Sequence, residues 1–170
     1  MDLISLAKKS IETYIKERKI ISVPKNLEKE FLNKKAGVFV TIEKNKELRG
    51  CIGTYLPYYK NIAEETIHNA VTAATEDYRF EPIQPDELSQ LSYTIYILNT
   101  PEQIKGLKEL DPKKYGIIIK TTDGKCGLLL PDLNGVNSIQ EQISIACQKG
   151  EINPKKDKLL IYKFTTKKYD

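Results

Sequence analysis

Residues 37–57, GVFVTIEKNKELRGCIGTYLP, decide the fold of this chain because they predict a β-hairpin. An apolar, β-branched run and a second run that ends in Ile-Gly stand on either side of the polar turn Lys-Asn-Lys-Glu. The pair Leu-Pro at the end of the stretch then closes the hairpin. The hairpin therefore predicts antiparallel pairing at the start of a sheet.

The residues after this hairpin predict a helix and then a third strand. Asn61 is a suitable N-cap with Glu64 three residues on, and residues 61–77 have an apolar face rich in alanine. Small side chains on that face suit close packing on a sheet. Residues 91–98, LSYTIYIL, alternate well enough to predict a strand.

The N-terminal part of the chain predicts helix rather than a membrane anchor. Leucine and isoleucine recur at helical spacing in residues 3–19, between lysines and glutamates. The following stretch, VPKNLEKEFLNKK, predicts a short helical turn that begins at Pro24. No apolar run approaches the roughly 20 residues of a membrane span. We therefore expect a soluble, cytoplasmic protein without a membrane partner.

The second half of the chain repeats the order of the first. YGIIIKTTDGKCGLLLP predicts a hairpin around Asp123-Gly124, and it is followed by a helix that ends at Gly150 and by the strand LLIYKFT. Both halves thus have a hairpin, a Leu-Pro exit, a helix and a strand.

This order predicts a single domain over residues 1–170 with a weak internal β-β-α-β repeat, about 36–100 and 115–166. Two coincidental α+β segments remain the alternative, because the identity between the halves is slight. Either way the fold class is α+β, with mainly antiparallel sheets flanked by helices.

Composition argues against several classes of function. The 27 basic and 23 acidic residues are spread along the chain, which is typical of a solvated surface and argues against nucleic acid as a partner. The three cysteines show no CxxC spacing and the chain has one histidine, so reduced thiols are expected and neither a metal nor another cofactor is predicted.

The hexapeptide LRGCIG, residues 48–53, joins two scarce residue types in one short strand. If the strand alternates regularly, Arg49 and Cys51 share a face, and a guanidinium beside a thiol favours the nucleophilic thiolate. Gly50 and Gly53 would let a substrate or partner approach the backbone. Two alternatives stay open, namely that Cys51 only packs a tight corner and that a β-bulge at Gly50 turns the pair apart.

A second candidate segment is EDYRFEP, residues 76–82, in a proline-rich loop after the helix. Arg79 could bind an anion there or close a salt bridge with Glu76 or Glu81, and Phe80 would anchor the turn.

The remaining candidates have simpler explanations. His68 is the one histidine that could act as a base, but its position in the helix favours an ordinary exposed histidine. Cys126 and Cys147 are interpreted as packing residues.

Taken together, LRGCIG and the stretches AGVFVTI, NAVTAATEDYRF, GLLLPDLNGV and EQISIA resemble the AMMECR domain family. They are most similar to its small bacterial and archaeal form, AmmeMemoRadiSam system protein A. The resemblance implies two unequal α+β subdomains with the hexapeptide near a cleft. It implies as partners a radical SAM protein and a MEMO-type protein.

The resemblance also implies which residues form a site. Arg49, Gly50, Cys51 and Gly53 fall on the family's hallmark hexapeptide. The family's Asp-Pro-Arg-Phe motif falls on residues 77–80, where Asp77, Arg79 and Phe80 match and Tyr78 replaces the proline. The residues leave open whether the protein is an enzyme.

Three functions are therefore carried forward. The first is a catalytic or small-molecule site at Arg49 and Cys51 for an anionic or electrophilic compound. The second is a non-catalytic module that docks other proteins, and the third is nucleic-acid binding.

Overall fold

The structure is a computed structural model that describes residues 1–170. It divides into two compact units, unit 1 with Met1–Leu98 and Lys167–Asp170, and unit 2 with Asn99–Thr166. Two four-stranded, mainly antiparallel sheets and their helices confirm the α+β class. None of the helices combines the length and the apolar character that a membrane span requires.

In chain order the elements are α1 (Leu3–Glu17), α2 (Lys29–Asn33), β1 (Val38–Lys44), β2 (Glu47–Gly53), α3 (Ile62–Thr75), β3 (Leu91–Leu98), β4 (Glu102–Gln103), β5 (Gly116–Thr121), β6 (Cys126–Leu129), α4 (Ile139–Lys149), β7 (Leu159–Phe164) and β8 (Thr166–Tyr169). Two short 3₁₀ helices cover Pro85–Gln90 and Leu107–Glu109.

Unit 1 is built on a sheet with the strand order β2-β1-β3-β8, so β2 is an edge strand. The inward residues of β1 are Val38, Val40 and Ile42, which are fully buried in a core shared with α1 and α3. α3 begins as predicted, since the Asn61 side chain accepts a hydrogen bond from the backbone N–H of Glu64. The other face of the sheet is only half-buried, and it presents the intervening residues of β1 and β2.

Unit 2 has a sheet with the strand order β4-β7-β5-β6. Its hairpin turns at Gly124, whose φ of 92° is a conformation that favours glycine. α4 begins with a capping box between Ser138 and Glu141, and it packs on β5 and β6 over a core that includes Ile117 and Ile119.

The predicted hairpins, long helices and strand β3 are confirmed, while three details were wrong or missed. α2 begins at Lys29 rather than at Pro24, because the residues between them form a turn that buries Leu27. The proline-rich loop contains the 3₁₀ helix Pro85–Gln90. Strands β4 and β8, two and four residues long, were not predicted because such short segments show no alternation to detect.

Candidate functional site

The strand that carries the hexapeptide contains a β-bulge at Arg49. Gly50 lies opposite Ile42 and Leu48 lies opposite Glu43, so Arg49 has no partner residue of its own on β1. A bulge interrupts the regular alternation of side chains. Arg49 and Cys51 therefore do not share a face as they would in a regular strand. Of the alternatives that the sequence left open, a β-bulge next to Gly50 is the one observed.

The guanidinium of Arg49 binds Glu87, which is buried in the 3₁₀ helix Pro85–Gln90. Nε and Nη2 donate to the two carboxylate oxygens at 3.0 and 2.9 Å, and the Lys44 ammonium donates to the same carboxylate at 3.1 Å. Lys44 follows buried Ile42 by two residues, so this cluster lies on the helix-covered side of the sheet.

The hydrogen bonds to Glu87 change its titration. The Arg49 guanidinium is the largest cause, and it lowers the pKa of Glu87 from an ordinary 4.5 to about 2, although burial acts in the opposite direction. Arg49 is thus committed to a buried ion pair.

Cys51 lies on the half-buried face of the sheet, opposite Thr41. Its sulfur lies 3.3 Å from the Thr41 hydroxyl. Its backbone N–H donates to a carboxylate oxygen of Asp77 at 2.8 Å, and its carbonyl accepts a hydrogen bond from Arg79 at 3.4 Å. The Asp77–Arg79 pair therefore occupies the position that a neighbouring strand would take at the outer edge of β2.

The partner of Arg79 is Asp77, so the expected salt bridge to Glu76 or Glu81 was assigned to the wrong carboxylate. Nη2 and Nε of Arg79 lie 2.7 and 2.9 Å from Asp77, whose side chain is almost fully buried. The sequence favoured the exposed neighbours, because it could not show that Asp77 turns inward to the Cys51 amide.

Asp77 and Arg79 stabilise each other's charged forms, and Arg79 also interacts with Cys51. Burial alone would raise the pKa of Asp77, but the hydrogen bonds from Arg79 and from the Cys51 amide lower it overall. The pKa of Arg79 is raised, first by its hydrogen bond to Asp77 and also by the charge of Cys51. Arg79 is thus a cation that contacts Cys51, through the backbone carbonyl.

Phe80 joins the two motifs. The guanidinium carbons of Arg49 and Arg79 lie 6.0 and 5.4 Å from the centre of its ring, within cation–π range. Phe80 thus lies within cation–π distance of two of the three arginines of the chain.

Gly50 and Gly53 of the hexapeptide lie where no larger side chain would fit. A Cβ on Gly50 would stand 2.3 Å from the backbone oxygen of Ala73 in α3, and a Cβ on Gly53 would stand 2.3 Å from the ring of Phe39. Gly50 therefore permits the close approach of α3, and Gly53 permits an aromatic ring to lie across the strand.

The loop after the hexapeptide belongs to the same region, and the sequence did not reveal it. Glu65 is fully buried, and its carboxylate accepts hydrogen bonds from the backbone N–H groups of Tyr58 and Tyr59 at 2.9 and 2.8 Å. Residues 53–58 line an open, mainly apolar pocket of about 330 Å³. The available signal was the position of this glutamate on the buried face of α3.

The other candidates take no part in this cluster. The imidazole of His68 stacks on the ring of Tyr59, with 4.0 Å between the ring centres. Cys147 is buried in unit 2, as a packing residue would be, and burial raises the pKa of its thiol. Cys126 is exposed, so its interpretation as a packing residue was wrong. No group of three or more histidine, cysteine, aspartate or glutamate side chains is arranged to hold a metal ion.

Comparison with known proteins agrees with the two motifs. A family model described as AMMECR1 matches residues 4–169. The chain belongs to the AMMECR1 family. A Thermotoga maritima protein is 44% identical over 160 residues, which cover 94% of this chain and 91% of that protein.

Other relatives of this AMMECR1-family chain extend the comparison. A protein of Clostridium acetobutylicum is 43% identical over 155 residues, and the chain spans 33% of that protein's length. The crystal structure of an uncharacterized protein from Pyrococcus horikoshii has a TM-score of 0.90 at 32% identity, and the alignment covers 98% of this chain and 88% of that one.

Proposed function

We propose that this AMMECR1-family protein carries a small-molecule site at Cys51, which handles an anionic or electrophilic compound within a radical SAM and MEMO-type system. In this proposal the chain is an AmmeMemoRadiSam system protein A. The observation that supports it is the set of three contacts on one residue, in which Asp77 binds the amide of Cys51, Arg79 binds its carbonyl and Thr41 binds its sulfur.

In this proposal Cys51 is held in one position, and Arg79, whose guanidinium binds the Cys51 carbonyl and the Asp77 carboxylate, is the cation that acts on the thiol. A nearby positive charge favours the thiolate, which is the reactive form of cysteine. The thiolate can displace a leaving group from an electrophilic carbon, so that a carbon–sulfur bond forms while the leaving group departs as an anion and the thiol proton passes to solvent. Arg79 takes the role that the sequence suggested for Arg49.

Competition among the three cysteines tests this function. The native protein would be treated with a panel of chloroacetamides, and adducts would be located by peptide mass spectrometry. We expect Cys51 to be modified at least roughly tenfold faster than Cys126 or Cys147, and Cys51→Ser to remove the fast reaction. Equal rates at Cys51 and Cys126, or modification of Cys51 only after unfolding, would contradict the proposal.

A second candidate function is the docking of other proteins, and a specific observation favours it. Leu56, Tyr58 and Tyr78, on the two loops that adjoin the Cys51 strand, are 55%, 83% and 93% exposed. Tyrosine and leucine side chains on rigid loops are suited to protein recognition. Mixing the purified chain with the radical SAM and MEMO-type proteins of the same genome tests this, because a complex at micromolar concentration should elute early from a size-exclusion column.

A further inference from the structure

Exposed apolar side chains concentrate around the hexapeptide. Seven large hydrophobic side chains are exposed in the whole chain, and four of them belong to β2 or to the loops next to it: Leu48, Leu56, Tyr58 and Tyr78. We call these four residues and the pocket of residues 53–58 the hallmark surface. Single exposed apolar residues are ordinary, whereas Leu56 and Tyr58 line an open apolar pocket, which is typical of an interaction site.

The backbone under the hallmark surface is held in place by buried groups. Glu65 fixes the loop at Tyr58 and Tyr59, and the Tyr59 ring is stacked on His68. Next to Tyr78, Asp77 ties the second loop to the amide of Cys51. A partner would therefore bind a surface that is already ordered, which reduces the entropic cost of association.

The charge around the hallmark surface is opposite in sign to that of the chain. Residues 41–90 contain five basic and nine acidic residues, a net charge of −4, whereas the chain as a whole carries +4. Three of the five basic side chains are engaged in ion pairs with Glu87 or Asp77: Lys44, Arg49 and Arg79. The exposed acidic side chains of the segment are Glu47, Glu76, Glu81 and Asp86, against exposed Lys46 and Lys60 and the exposed but ion-paired Arg79.

We propose that the hallmark surface binds a segment of a partner protein in which lysine or arginine side chains stand beside an aliphatic or aromatic one. The apolar side chain enters the pocket of residues 53–58, and the basic side chains face the exposed carboxylates. Nucleic acids and anionic lipid surfaces carry the wrong charge for this region. The inference rests on the docking function proposed above and adds the chemistry of the partner.

Three labelled twelve-residue peptides test the inference by fluorescence anisotropy with the full chain. One alternates leucine and lysine, one alternates leucine and glutamate, and one alternates serine and lysine. We expect the leucine–lysine peptide to bind at least tenfold more tightly than the other two. Its affinity should fall several-fold when the salt concentration rises from about 50 to 300 mM.

Variants locate the binding on the surface. Leu56→Ser and Tyr58→Ser should each weaken binding of the leucine–lysine peptide by about fivefold or more, and Glu76→Lys combined with Glu81→Lys should do the same. The matched control is Leu107→Ser, which removes a leucine of similar exposure in unit 2 and should leave the affinity unchanged.

Equal affinity for the leucine–glutamate or serine–lysine peptide would overturn the inference, and so would an equal loss in Leu107→Ser. Failure of the docking function is seen separately. If the radical SAM or MEMO-type protein forms a complex but no leucine–lysine binding is found, docking stands and the basic-segment inference falls. If only the peptide binds, the inference stands and the partners named for the docking function are wrong.

Discussion

Units 1 and 2 contain the same three-strand arrangement with a helix packed on its edge strand. The order β2-β1-β3 in unit 1 corresponds to β6-β5-β7 in unit 2. In each, a glycine of the edge strand meets a helix backbone, since a Cβ on Gly50 would lie 2.3 Å from the oxygen of Ala73 and one on Gly127 would lie 1.9 Å from the oxygen of Ala146. This agreement is the pattern that a duplication would leave, and the duplication stays a proposal.

The two units differ at the residue that follows the glycine. In unit 1 this residue is Cys51, which lies opposite Thr41 and is held by Asp77 and Arg79. In unit 2 it is Leu128, which lies opposite Ile118. The glycine is therefore explained by a fold common to both units, whereas the thiol and the ion pair that holds it belong to unit 1 alone.

The largest effect on stability is expected from the edge-strand glycine that both units share. Gly127→Ala and Gly50→Ala each drive a methyl group into a helix carbonyl, and we expect each to destabilise its own unit by about 3 kcal/mol or more. Gly106→Ala is the control, because a Cβ at Gly106 meets no atom within 4 Å. Denaturant titration would give the free energy of unfolding of the three variants. A loss below about 1 kcal/mol in Gly50→Ala would show that α3 can move away from β2.

The second effect belongs to unit 1 and depends on pH. The pKa of Glu87 in the folded chain, about 2, lies below its ordinary value of 4.5. Ionised Glu87 therefore stabilises the folded state above about pH 4.5, and this stabilisation is lost as the pH falls towards 2. The shift corresponds to roughly 3 kcal/mol.

Glu87→Gln should remove this stabilisation and flatten the pH dependence of unit 1 between pH 4.5 and 2. Acid titrations followed by circular dichroism compare the variant with the parent chain. The same slope in both would mean that Arg49 and Lys44 contribute no net stabilisation through Glu87.

A smaller effect is expected at the carboxylate that binds the Cys51 amide. Asp77→Asn keeps the shape but removes the charge that pairs with Arg79, and we expect a loss of about 1–3 kcal/mol. Chloroacetamide modification of Cys51 should also become faster, by up to roughly tenfold, because the negative charge beside Cys51 is lost and no longer pairs with Arg79. If Asp77→Asn is destabilised but its Cys51 is modified at the parent rate, Asp77 contributes to folding alone.

The smallest effect on stability is expected at Cys51 itself. Cys51→Ser replaces a half-buried thiol beside a hydroxyl, and it should alter the free energy of unfolding by less than about 1 kcal/mol. Cys147→Ser places a hydroxyl in the core of unit 2 and should cost about 1–3 kcal/mol. If the order of the two variants is reversed, Cys51 is the packing residue.

Much of the fold followed from the sequence because local patterns determine it. The hairpin of β1 and β2, the N-cap Asn61 and the end of α4 at Gly150 each depend on residues close in the chain. The bulge at Arg49 was left open by the sequence, because a glycine such as Gly50 permits a bulge without requiring one. The guanidinium of this bulged residue binds Glu87, a carboxylate that is distant in the sequence and lies in a separate element.

The site followed from the sequence only in part for the same reason. LRGCIG and DYRF were singled out, and Asp77, Arg79 and Phe80 do converge on the Cys51 strand. The carboxylate partners of the arginines were not predicted. Glu87 is far from Arg49 in the sequence, and Asp77 could not be distinguished from Glu76 and Glu81 as the partner of Arg79. Glu65 was missed because its carboxylate binds backbone N–H groups, so its position on the buried face of α3 was the one signal in the sequence, and it was not used.

The most direct test of the account asks which arginine governs the thiol. The rate of Cys51 alkylation at neutral pH, measured by peptide mass spectrometry, would be compared in the parent chain, Arg79→Met and Arg49→Met, with each variant shown to be folded by circular dichroism. The account predicts that Arg79→Met slows the reaction by roughly tenfold and that Arg49→Met leaves it nearly unchanged. A slower reaction in Arg49→Met alone, or a Cys51 that reacts only in the unfolded chain, would contradict it.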